Sequence, residues 1–74
     1  MIYIDNLGKI IRYERKSWGM SKRRLARLSH TDKETIEDIE SGNLKNPDFF
    51  LMLNICETLD ISVFSLLKDK NITF

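Results

Sequence analysis

The chain has 74 residues, enough for one domain. A chain this short buries only part of its surface, so its stability is marginal or shared with a partner. With 42% apolar and 31% charged residues, the composition fits a soluble, folded, helical protein and excludes a disordered one. The lone cysteine, Cys56, excludes an intramolecular disulfide, and the absence of a Cys/His cluster speaks against a structural zinc. Cys56 therefore reads as a small core residue in a reducing, intracellular setting.

The most apolar stretch, FFLMLNIC, is interrupted by Asn54 and is far shorter than the roughly 20 residues of a membrane span. No signal peptide is read, and no membrane partner is expected. The formal net charge is only +1, yet residues 1 to 30 hold eight Lys or Arg and two acids, while residues 31 to 74 hold four Lys and nine acids. Such asymmetry fits an oriented interaction with a charged partner. Attraction between the two halves within the fold fits it equally well.

In chain order, MIYIDN opens as a short strand or an ordered tail. Asp5 or Asn6 is placed to cap a first helix over LGKIIRYERKS, with Leu7, Ile10, Ile11 and the Tyr13 region as its apolar stripe. Trp18 and Gly19 end it, Gly19 being suited to a left-handed stop. Ser21 caps a second helix over KRRLARLS, with Leu25, Ala26 and Leu28 inward. SHT is a turn. Asp32 then caps KETIEDIES, whose Ile36 and Ile39 face the core, and Gly42 stops it. GNLKNP is a polar loop. DFFLMLNICETLD is a fourth helix, with Asp48 in its first turn, and ISVFSLLKDK a fifth, capped by Ser62. The expected fold is all-α: a compact five-helix bundle in a single domain, 1–74, with a core over about 6–68 and short tails.

Two short helices joined by a tight turn, the second opened by a capping residue, are the pattern of a helix-turn-helix. Leu25–Ala26, then Ile36, Ile39, Glu40 and Gly42 give LA…I..IE.G. With LGKIIRYER before it, MS ahead of the second helix, NP after the loop and LNICETLDISVFSLL at the end, the chain resembles the XRE/Cro phage-repressor type over residues 7 to 67. That resemblance implies a third helix, at about 33–41, entering the major groove of double-stranded DNA, with the second lying across it near the backbone. It also implies a partly buried ion pair between Arg15 and Glu40, whose bidentate geometry would fix the angle between two helices.

Lys22, Arg23 and Arg24 fill the first turn of the second helix, where the helix dipole opposes cations. A bound phosphate would reverse that penalty. Lys22 is the best single phosphate contact by its family position, with Arg23 beside it and Lys45 as a second site in the loop. On the third helix, with Ile36 and Ile39 inward, the resemblance maps base contacts best onto Lys33, Glu34 and Asp38, with Thr35 and Glu37 nearby. Lysine can donate to guanine, carboxylates can accept from cytosine N4, and the Thr35 methyl can touch thymine. The acids are unusual on a surface that meets a polyanion. Asp32 as a cap and Glu34 in the first turn answer to helix physics. Glu37 and Asp38 do not, and they are left facing either bases or a protein partner.

His30 and Asp60 stand where the family often has glycine. A left-handed conformation there costs a residue with a Cβ about 1–2 kcal/mol. Trp18 is expected as a cap over the first two helices. On the fourth helix Phe49, Met52, Leu53, Cys56 and Leu59 follow core spacing, and Phe50, Leu51 and Ile55 widen the apolar arc. Phe50, Leu51, Val63 and Phe64 are the candidates for a homodimer interface. The tails MIYI and NITF are the alternative cover, or paired strands.

The expectation is thus a cytoplasmic, nucleoid-associated, sequence-specific DNA-binding transcriptional regulator, a repressor, without effector domain, cofactor, metal or small-molecule ligand. The rival reading is a protein-interaction module, such as an antitoxin or antirepressor, built on the same fold. Nothing in the chain suggests an enzyme: one histidine with no matching nucleophile offers no catalysis.

Overall fold

A computed structural model describes residues 6–63 and residue 66. It contains four α-helices: α1, Leu7–Ser17; α2, Lys22–Leu28; α3, Lys33–Ser41; and α4, Phe49–Leu59. The fold is all-α, and among the described residues no strand occurs. Among the described residues the helices number four, against the five expected. The anticipated fifth helix falls largely outside the described residues; within them, the Leu66 N–H donates to the Ser62 carbonyl, the bond of one helical turn. The tails MIYI and NITF also lie outside them.

The helices begin where short polar side chains take the first free N–H groups. Ser21 Oγ accepts from Arg24 N–H at 3.0 Å, Asp32 from Thr35 N–H at 2.8 Å, and Asp48 from Leu51 N–H at 2.9 Å. Asp48 is therefore the cap of α4 rather than a residue of its first turn. α1 departs from the expectation. Asn6 holds the capping position in a left-handed conformation, with no side-chain cap bond.

Three helices stop in the same way. Past α1, Met20 N–H reaches the Arg15 carbonyl and Gly19 N–H the Lys16 carbonyl. Past α2, Thr31 reaches Ala26 and His30 reaches Arg27. Past α4, Ile61 reaches Cys56 and Asp60 reaches Glu57. Each pair closes a helix end through one left-handed residue: Gly19 (φ 66°), His30 (φ 62°) and Asp60 (φ 57°). His30 and Asp60 do a glycine's work at a steric cost.

The core joins all four helices. Leu7 and Ile11 of α1, Leu25 and Ala26 of α2, Ile36 and Ile39 of α3, and Met52, Ile55, Cys56 and Leu59 of α4 are buried with Leu66. Burial pushes the Cys56 thiol up to about 11, which keeps it protonated and unreactive at neutral pH. The inward set differs from expectation at the edges. Tyr13 and Leu28 are exposed, as is Phe49, while Leu53 is half-buried and Ile55 fully buried. Trp18 is the C-cap residue of α1, and its indole N–H donates to the Leu59 carbonyl at 2.9 Å, tying the end of α1 to the end of α4.

α3 is the hub: it packs on α1 and on α2, and α4 closes the bundle against α1 and α2. No described helix is long and apolar enough to cross a membrane.

Candidate nucleic-acid interface

The angle of α3 is set from α1. Arg15 is buried, and its Nε donates to Glu40 Oε2 at 2.7 Å and its Nη2 to Oε1 at 3.1 Å. A third guanidinium bond, from Nη1 to the Met20 carbonyl at 2.8 Å, anchors the loop into α2. One side chain thus fixes α3 to α1 and to the segment that launches α2. The fork geometry of arginine suits this, since two parallel bonds resist rotation as well as separation.

Sequence reasoning missed Gly8. A Cβ there would overlap the Ile39 carbonyl oxygen and stand 3.1 Å from Glu40 Cα. The start of α1 therefore lies against the backbone of α3 with no room for a side chain. The available signal was a glycine inside an amphipathic helix, LGKI, which is a poor helix former retained for some other reason.

With α3 so held, its remaining side chains divide by face. Ile36 and Ile39 are buried; Lys33, Thr35 and Glu37 are half-buried; Glu34 and Asp38 are exposed. Lys22 opens α2 and Lys33 opens α3. Both reach one carboxylate oxygen: Glu37 Oε2 lies 3.9 Å from Lys22 Nζ and 3.6 Å from Lys33 Nζ. The first residues of the two helices therefore share a surface. Arg23 is exposed beside Lys22, and Lys45 is exposed in the loop after α3. That loop is tied back by a bond from Leu44 N–H to the Asp38 carbonyl at 2.9 Å.

The acids of DKETIEDIES are now mostly accounted for within the chain. Asp32 caps α3, and its hydrogen bonds from Thr35 hold its carboxyl below the usual aspartate value. Glu34 stands in the first turn. Glu37 is shared by two lysines, and Glu40 belongs to Arg15. Glu34 and Asp38 are the two acids of α3 whose carboxylates keep no partner among the described residues.

The dimer candidates differ in exposure. Phe50 is 76% exposed, with Phe49 edge-on to it at 6.3 Å between ring centroids. Leu51 and Val63 are half-buried against the core. Phe64 lies outside the described residues. No group of three or more His, Cys, Asp or Glu is gathered as for a metal among the described residues.

The sequence profile of the helix-turn-helix family matches residues 11–66. Solved structures are similar over most of the chain. SinR, described as the master regulator for biofilm formation, in complex with DNA, is 31% identical, with a TM-score of 0.77, covering 84% of this chain and 98% of that one; SinR comes from Bacillus subtilis. A chain of the SinR–SinI protein complex is 31% identical at a TM-score of 0.78; this chain covers 63% of its length and is itself covered over 88%. The restriction-modification controller protein C.AhdI from Aeromonas hydrophila is 30% identical at a TM-score of 0.75, covering 82% of this chain and 91% of that one. No curated protein sequence matches the chain.

Proposed function

This chain belongs to the helix-turn-helix family of the XRE/Cro type and is a DNA-binding transcriptional regulator; from that premise we infer that it reads a specific operator in the major groove with α3, as a repressor in the cytoplasm. The observation that supports this most is the shared surface of Lys22 and Lys33, which meet at one oxygen of Glu37. It joins the first turn of α2, where a phosphate would be gripped, to the first turn of α3, where bases would be read.

In this reading Lys22 and Arg23 hold the backbone at the start of α2, and Lys45 holds it on the other side of α3. Cations that destabilise a helix start become favourable once an anion sits there. Lys33, Glu34, Thr35, Glu37 and Asp38 face base edges. The exposed carboxylate of Asp38, without a partner among the described residues, would accept from cytosine N4. Arg15, Glu40 and Gly8 touch no DNA; they set the angle at which α3 is presented.

Two copies would pair through the start of α4, around Phe50 and Phe49, with Leu51 and Val63 at the margin and Phe64, outside the described residues, as the remaining candidate. A two-fold pair places two reading helices one DNA turn apart and demands an inverted repeat. A protein partner is the second reading, supported by the similarity to SinR in its complex with SinI and by the exposed Phe50 ring.

Selection of binders from a random duplex library, at low and at moderate salt, tests the reading. An enriched inverted repeat with half-sites about one turn apart supports a dimeric operator reader. A single enriched half-site removes the dimer. No enrichment at either salt removes α3 as a DNA reader and turns the search to a protein partner.

A further inference from the structure

Glu37 is poorly explained by stability. Its carboxylate, 41% exposed, lies between Lys22, 40% exposed, and Lys33, 42% exposed, and ion pairs this wet contribute little to folding. Within α3 the order is also the weaker one, since lysine precedes glutamate at i,i+4. What the placement does achieve is neutralisation. One oxygen occupies the two ammonium groups that the reading above gives to a phosphate and a base.

We propose that Glu37 is a specificity-determining residue, an internal anion that competes with DNA phosphate for Lys22 and Lys33 and so suppresses binding to arbitrary sequence. The proposal rests on the DNA-reading face assigned above. Non-specific binding draws its free energy from counterions released when cations meet phosphates. A lysine already facing a carboxylate releases fewer, and the carboxylate itself repels the backbone. A complex held by phosphates alone bears this penalty in full. At the right operator it is offset, because a base can replace what is lost: guanine accepts from the freed Lys33, and a cytosine N4–H₂ donates to Glu37. Discrimination then comes from an unfavourable contact that one sequence relieves.

The test uses the full chain as wild type, Glu37→Gln, Lys22→Gln and the double variant, each shown to be folded by circular dichroism. Fluorescence anisotropy is read over a salt series on two labelled duplexes: one of random sequence, and the one recovered by the selection above. Glu37→Gln is expected to bind random duplex roughly tenfold tighter at low salt, with a slope of log affinity on log salt steeper by about 0.9 for each phosphate gained. The selected duplex gains less, so the ratio between the two falls. In the Lys22→Gln background the gain on random duplex shrinks. Unchanged affinity and slope on random duplex, while wild type binds the selected duplex, would overturn the role of Glu37 and leave the DNA reading standing. Equal gains on both duplexes would also overturn it, leaving Glu37 a general repeller. Wild type binding neither duplex removes the DNA reading and this proposal with it.

Discussion

Glu37 and Glu40 stand one turn apart on α3, carry the same charge and meet opposite environments. Glu40 is 4% exposed and bound through both oxygens by an arginine that is 8% exposed. Glu37 is 41% exposed and shares one oxygen between two lysines at 3.6 and 3.9 Å. Away from water the charges attract strongly, and neither partner can be lost without leaving a bare charge behind. In water the attraction is screened, and the flexible lysines remain free to exchange their anion. One short helix thus uses the same side chain as a structural clamp on its α1 face and as an exchangeable counter-ion on its α2 face.

The contrast breaks most directly at these two residues. Glu40→Ala should cost about 3–5 kcal/mol, because Arg15 is left buried without its partner. Glu37→Ala should cost less than about 1 kcal/mol. Urea unfolding of both variants decides it: equal shifts in midpoint would show that burial does not separate the two pairs. Gly8→Ala sharpens the buried side. Alanine is the better helix former, yet a methyl at this position meets the Ile39 carbonyl. Overpacking of about 1–3 kcal/mol should therefore win, and a thermal melt above wild type would mean that α1 and α3 do not approach so closely.

On the exposed side the effects are smaller. His30→Gly should stabilise by up to about 1 kcal/mol. It relieves a left-handed strain of about 1–2 kcal/mol and gives back about 0.5–1 kcal/mol in backbone entropy. A lower melting temperature would show that the His30 side chain holds the turn in some other way. Smallest of all is the titration of Asp32. Its folded value lies below its ordinary 3.8, so its contribution is present above that value and is lost as pH falls through the folded one. Asp32→Asn keeps a capping side chain but removes the charge. Stability measured from pH 5 down to pH 2 should fall less steeply in the variant; an identical slope would remove Asp32 as a source of acid sensitivity.

The parts of the fold that local chemistry dictates were legible. α1 to α3 fall where Ser21, Asp32, Gly19 and Gly42 punctuate the sequence, because caps and left-handed stops depend on a few adjacent residues. The inward face of α4 was not legible. FFLMLNIC is apolar nearly all round, so its periodicity does not distinguish Ile55, which is buried, from Phe49, which is not. Gly8 was legible only as a glycine out of place in a helix; which backbone it lies against belongs to two helices and is written in neither alone. The α3 half of the Glu37 cluster follows from i,i+4 spacing to Lys33. The other half, Lys22, depends on how α2 crosses α3, which spacing does not contain. For the same reason the sequence left Glu37 facing either bases or a protein partner, with no partner inside the chain.

The indole bond of Trp18 to the Leu59 carbonyl joins residues 41 positions apart, and Trp18 is the chain's single tryptophan. Its ring is 57% exposed, half in water and half against the bundle, with its polar atom fixed. Excited selectively, that ring is a built-in optical probe of the joint between α1 and α4. If α4 swings away, the indole loses its carbonyl and its emission changes before any helix melts. Emission set beside circular dichroism would therefore separate opening of the bundle from loss of its helices, without a label added to the molecule.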